Sequence, residues 1–218
     1  RADNLQQLRF MHVHRIDLII VNDRTKTRTG KCDLCLRIFT LHKICMHSGS
    51  KGISSEIIQV GGVKIHGCLE CNHCRRTGEE VCIQKDDPFN EWFEKMRAAD
   101  GIVLATPVFV GNVTSEMKAL IDRACYISRM RVRVQGQDNI FKHKVAAPLI
   151  AVRRAGAMQA YFNIMSWFAI SDMIVPTSSY FNFAFGLEPG DVDNDAEGIR
   201  TVKDLAANMA WLLKKIAS

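Results

Sequence analysis

An α/β fold built on a parallel sheet is what this 218-residue chain predicts. Two observations carry that expectation. Five short strand-like runs recur along the sequence, and each is followed by a helical period or a long loop. No internal repeat or low-complexity linker interrupts the series, so residues 1–218 read as one domain with an N-terminal extension over 1–14. The first run, Ile16 to Val21, is continuous and β-branched, as a buried strand requires. Behind it Leu34, Ile38, Leu41 and Cys45 fall at helical spacing. Ser55 to Val60 is the second strand candidate. The helix after it carries Phe89, Trp92, Phe93 and Met96 on one stripe. "GIVLATPVF" is the third strand, running out at Pro107, which cannot donate to a central ladder. Met117, Leu120, Ile121 and Ala124 mark the next helix, with Thr114 as its N-cap and Glu116 in its first turn. "APLIAV" is the fourth strand, Ala157 to Ile170 an apolar helix, and Met173 to Val175 the fifth strand. A C-terminal helix repeats Ile199, Val202, Leu205, Met209, Leu212 and Ile216 three or four apart.

Composition narrows the function classes. The chain is 47% hydrophobic and 24% charged, which describes a globular protein able to bury a core without disulfide staples. No apolar run is long enough to span a membrane and no secretory leader is visible, which predicts a cytoplasmic protein. Net charge is +6 with the basic residues scattered, which favours anionic small molecules over a nucleic-acid surface. In open parallel sheets ligands sit beyond the carboxyl ends of the strands. That rule selects the loops Asp23 to Gly30, Thr106 to Val113 and Arg153 to Ala157. Gly111 and Gly156 permit close backbone approach, Pro107 stiffens its turn, and Phe109 offers an aromatic face to a flat ring.

Four of the eight cysteines fall between His66 and Asp87, within the loop insertion 66–88. Cys68, Cys71 and Cys74 are each separated by two residues, and Cys82 follows after seven. Four thiolates suit a cubane cluster, and four thiolates also make a closed zinc shell. Three ligands within seven residues fit the cluster better than the two separated pairs usual for zinc. A cysteine-rich loop without metal is the third reading. Cys32, Cys35, His42, Cys45 and His47 form a second possible set, read first as helix packing. Cys125 reads as core. Asp86 and Asp87 read as helix caps, and "DVDNDAEG" as a surface turn before the last helix. No histidine has a visible catalytic partner.

The blocks "GCLECNHCRRTGEEVC", "ADGIVLATPVFVGNVTSEMKALIDR", "AVRRAGA" and "SYFNFAFG" together resemble the flavodoxin-like family of FMN-binding NAD(P)H-dependent reductases, in particular its iron-sulfur flavoproteins. The resemblance runs from about Ser54 to the C-terminus. It implies a doubly wound five-stranded sheet of order 2-1-3-4-5, helices on both faces, and FMN at the switch point. By position it places Thr106, Pro107, Val108, Phe109, Gly111 and Asn112 along the flavin ring, with Arg153, Arg154, Gly156 and Ala157 closing it. It implies a [4Fe-4S] cluster on Cys68, Cys71, Cys74 and Cys82. It further implies electron or hydride transfer from NAD(P)H or a ferredoxin-like carrier, and a homodimer or homotetramer. One departure stands out. After the first strand the family carries a Ser-Pro-Arg type phosphate loop, where this chain reads "VNDRTKTRTGKC". Thr25, Thr27 and Thr29 would have to hold the phosphate there, with nearby Arg and Lys. The rival readings are a metal-binding module and a flavodoxin-like scaffold that has lost FMN, both without enzymatic activity.

Overall fold

The computed structural model describes residues 17–22 as backbone, and residues 53–188 and 190–217 in full. The five strands are β1 Asp17–Asn22, β2 Ser54–Gln59, β3 Gly101–Pro107, β4 Val145–Val152 and β5 Phe183–Phe185. They form one parallel sheet in the order β2-β1-β3-β4-β5. β1 therefore has β2 on one side and β3 on the other, which makes its carboxyl end the place where the winding reverses. Six helices are described: α1 His73–Thr77, α2 Phe89–Ala98, α3 Ser115–Gln135, α4 Ala157–Ile170, α5 Asp191–Asn194 and α6 Ala196–Ala217.

Every residue of β3 and β4 is buried, as in a parallel sheet covered on both faces. Alternate residues serve two cores. Ile102, Leu104, Ala146 and Ile150 face a layer made by α2, α3 and α4, into which the stripe Phe89, Phe93 and Met96 is packed. Val103, Ala105, Ala147 and Leu149 face α6 through Leu205, Met209 and Leu213. The apolar spacing of α2 and α6 is thus explained by one buried face each. Thr114 caps α3, its hydroxyl accepting from the Met117 amide at 3.2 Å, and Gly136 ends that helix at φ 65°.

The last strand lies elsewhere than the sequence suggests. Around Met173 to Val175 only an isolated bridge forms, between Ile174 and Val145, and the true β5 begins at Phe183. The reason is Pro148. The amides of Ala146 and Ile150 donate toward this edge, to the carbonyls of Ile174 and Asn182. Pro148, midway between them on the same side, has no proton to give. The chain leaves the sheet at that level and returns beyond it, while the Asn182 side-chain amide donates to the Pro148 carbonyl at 3.1 Å. The run Asp191 to Gly198 is likewise more than a turn. Its first residues form α5, where the Asp191 carboxylate accepts from the Leu187 and Glu188 amides, and the Asp195 carboxylate accepts from Phe185 and Gly198.

Candidate functional site

Two groups of residues lie beyond or beside the carboxyl ends of the strands. The first is a pair of loops after β3 and β4. The Val108 amide donates to the Ala151 carbonyl at 2.9 Å, so the first loop starts pinned to the neighbouring strand. Phe109 and Asn112 then exchange backbone hydrogen bonds of 2.9 and 3.0 Å around a two-residue turn. Val110 and Gly111 occupy that turn at φ 47° and 75°, the left-handed pair that a tight turn of this kind needs. A β-branched residue in that region is strained, and Val110 is also fully exposed. Thr106 is buried behind the loop. Its hydroxyl donates to the Pro107 carbonyl and accepts from the Thr114 amide, which ties the loop to the start of α3.

The second loop fits against the first with no room to spare. Gly156 has φ 89°, and a Cβ there would fall 2.7 Å from Gly111 Cα and 2.9 Å from Val108 Cγ1. Val108, Gly111 and Gly156 are therefore brought together. Arg153 and Arg154 are exposed at the rim, Phe109 is partly exposed, and Ala157 is buried as the first residue of α4. Thr25, Thr27 and Thr29, like Cys32, Cys35, His42, Cys45 and His47, lie outside the described residues.

The second group is the cysteine loop. Cys68, Cys71, Cys74 and Cys82 all line one pocket, closed on the far side by Arg123 and Tyr126 of α3. Local hydrogen bonds set the shape. The Asn90 side chain both accepts from the Cys82 amide at 2.9 Å and donates to its carbonyl at 3.0 Å. Arg76 donates to the Cys71 carbonyl, and Tyr126 donates to the Asn72 side chain at 2.7 Å. Glu80 accepts from Arg97 of α2 and Arg131 of α3. Burial pushes the Cys74 thiol up, partly offset by the Arg75 amide, and the neighbouring Cys68 and Cys71 raise it further.

The base of this loop rests on a buried ion pair that the sequence reading did not single out. Arg123 and Asp87 are in contact at 2.5 Å with side chains 1% and 0% exposed. The same guanidinium donates to the His66 and Gln84 carbonyls and lies 4.0 Å over the Phe89 ring. It so clamps both ends of the loop to α3. Asp87 does cap the start of α2, accepting from the Phe89 amide at 3.2 Å, but its other oxygen serves Arg123 and the His66 amide. Asp86 is instead an exposed partner of Lys64 and His66, each at 3.0 Å. His66 and His73 are thus loop histidines paired with acids, His73 with Glu79. His66, Asp86 and Asp87 have ligand atoms within 4.8 Å of one another, but Lys64 and Arg123 already occupy the carboxylates.

These carboxyls give the loop an acid limit. Hydrogen bonds from Lys64 and His66 hold Asp86 down to about 2. For Asp87 burial pushes upward, yet the bonds from Arg123 and the two amides outweigh it and the group ends below the ordinary carboxylate value. A carboxyl depressed in the folded state stabilises the fold above its unfolded pKa, near 3.9, and that stabilisation is lost as pH falls through the folded value. We expect the urea midpoint to be level above about pH 5 and to drop below about pH 4. Asp87→Asn should flatten that drop; an unchanged acid limb in the variant would show that Asp87 plays no part in it.

Residues 39–188 match the NADPH-dependent FMN reductase family. An iron-sulfur flavoprotein of Methanocaldococcus jannaschii is 32% identical over 171 residues, covering 76% of this chain and 84% of the relative. One of Methanosarcina thermophila is 31% identical over 169 residues, covering 76% and 82%. Among solved structures, RosB with a bound 8-demethyl-8-formylriboflavin-5'-phosphate superposes with a TM-score of 0.67 at 18% identity, over 93% of this chain and 80% of that one. The flavodoxin WrbA-like protein from Agrobacterium tumefaciens does so with a TM-score of 0.55 at 10% identity, over 92% and 98%. These two show a flavodoxin-like fold. No described helix is long and apolar enough to cross a membrane. With the family's match spanning most of the described sheet and both site loops, this chain belongs to the NADPH-dependent FMN reductase family.

Proposed function

We propose that the protein is an FMN-dependent oxidoreductase of the iron-sulfur flavoprotein kind, with FMN over the paired loops and a [4Fe-4S] cluster in the thiol pocket. The observation that carries the reading is that all four spaced cysteines face one pocket, on a loop rigidly held by α2 and α3. Three cysteines within seven residues, with a fourth on the same pocket, suit a cluster better than the two separated pairs usual for zinc.

FMN, when bound, supplies the hydride and electron chemistry. The chain's task is to hold and surround it. The contact of Gly156 with Gly111 and Val108 builds a floor without side-chain bulk, Phe109 offers an aromatic surface, and Arg153 and Arg154 offer positive charge to an anionic ring or nucleotide phosphate. The phosphate falls to the loop after β1, with Thr25, Thr27 and Thr29, because Asn22 ends at the switch point. Tyr126 lies eleven residues beyond Ser115 on α3, so the two sites are separated by about 17 Å along that helix. Electrons would enter from NAD(P)H or a ferredoxin-like carrier, in a cytoplasmic homodimer or homotetramer.

The test is an absorption spectrum of protein purified without oxygen, with iron, zinc and flavin assayed on the same sample. Flavin bands over a broad brown shoulder, with about four irons per chain, are expected. Cys68→Ser should lose the iron and keep the flavin. Flavin with zinc or without metal would remove the cluster, and a sample that binds no FMN would remove the enzyme.

A further inference from the structure

Arg123 has one nitrogen that the clamp does not use. Its two terminal nitrogens are taken by Asp87, His66 and Gln84, whereas Nε is buried and has no hydrogen-bond partner. An unpartnered buried donor on a cation is costly, so a native structure that keeps one needs an acceptor for it. The side chain that carries Nε forms part of the wall of the thiol pocket. Apart from Arg123, the pocket is lined by cysteines, apolar side chains and the polar groups of Asn72, His73, Gln84 and Tyr126. Asn72 and His73 are engaged by Tyr126 and Glu79, and the Gln84 amide donates to the Gly67 carbonyl at 3.0 Å and lies 3.9 Å from Cys82 Sγ, so Arg123 Nε is the buried donor of this wall left without any partner.

We propose that Arg123 Nε donates a hydrogen bond to a sulfur of the iron-sulfur group held in this pocket and thereby sets its reduction potential. The inference rests on the cluster reading given above. A donor aimed at sulfur favours the reduced form, because the added electron makes the sulfurs more negative. The effect belongs to the hydrogen bond and not to net charge, since Asp87 at 2.5 Å offsets the guanidinium. Arg123 is in this sense a positioning residue for the loop and a tuning residue for the metal group.

Arg123→Lys keeps the cation beside Asp87 and removes Nε. Asp87→Asn keeps Nε and removes the offsetting charge. In redox titrations of the anaerobically purified protein followed by electron paramagnetic resonance, Arg123→Lys should lower the potential. At a fixed applied potential its reduced-to-oxidised ratio should fall about tenfold, the worth of one charge-assisted hydrogen bond. Asp87→Asn should shift the potential in the opposite direction. Wild-type protein grown with arginine labelled with 15N at Nε alone, which leaves the Arg75 amide beside Cys74 unlabelled, should also show a nitrogen hyperfine coupling to the reduced cluster that Arg123→Lys lacks. That measurement on the wild type decides the matter if either variant fails to fold. Full iron in the wild type with no 15N coupling, or unchanged potential in Arg123→Lys, overturns the role of Nε and leaves the cluster standing. A wild type without iron overturns both.

Discussion

Replacing Arg123 with methionine should cost about 3–5 kcal/mol of stability, the range seen when one partner of a buried ion pair is removed. Asp87 would remain buried without its cation, and the His66 and Gln84 carbonyls would lose their donor at the same time. By contrast the solvent-screened pairs Lys118–Asp122 and Lys142–Asp138 on the surface contribute little. The effect should reach the site, because the clamp fixes both ends of the segment that presents the cysteines. We therefore expect iron incorporation to fall with stability. The double variant Arg123→Met/Asp87→Leu removes the unpaired buried charge and should recover part of the loss in urea unfolding, but not all of it, because the His66 and Phe89 amides lose their acceptor and the His66 and Gln84 carbonyls their donor, while iron stays low. A single variant within about 1 kcal/mol of the parent would mean that Asp87 finds water or another partner.

That pair shows where the sequence stops being legible. The helix stripe through Met117, Leu120 and Ala124 can be read from spacing alone, since it depends only on neighbours three and four apart. Arg123 sits beside Leu120 and Ala124 and faces inward, and its partner lies 36 residues away. Nothing local marks the two as a pair. An arginine within an apolar stripe was the available signal, and it asks only for some buried acid. The loops after β3 and β4 were legible for the opposite reason. Their position follows from strand order and winding, which short apolar runs already define. β5 was misplaced because "DMIV" has the better strand composition. What decided its place was Pro148 on the neighbouring strand, a residue that says nothing locally about where its partner will return.

Gly156→Ala is expected to have the second large effect, and it separates backbone strain from close approach. An alanine at φ 89° is strained by about 1–3 kcal/mol wherever it occurs. Here its Cβ would also meet Gly111 Cα at 2.7 Å, a backbone atom that cannot rotate away. The Phe109–Asn112 turn is closed by two hydrogen bonds, and Val108 is tied to Ala151, so the loop must shift as a unit. Gly136→Ala is the matched control, because Gly136 ends α3 at φ 65° with nothing within 4 Å of a Cβ. Both variants should melt earlier than the parent. Only Gly156→Ala should lose flavin, with affinity down at least about tenfold for each 1.4 kcal/mol of lost fit. Equal flavin retention in the two variants would place the cofactor away from these loops. Loss confined to Gly156→Ala would mean that the absence of a side chain, and not merely a permissive backbone, is what the site requires of this position.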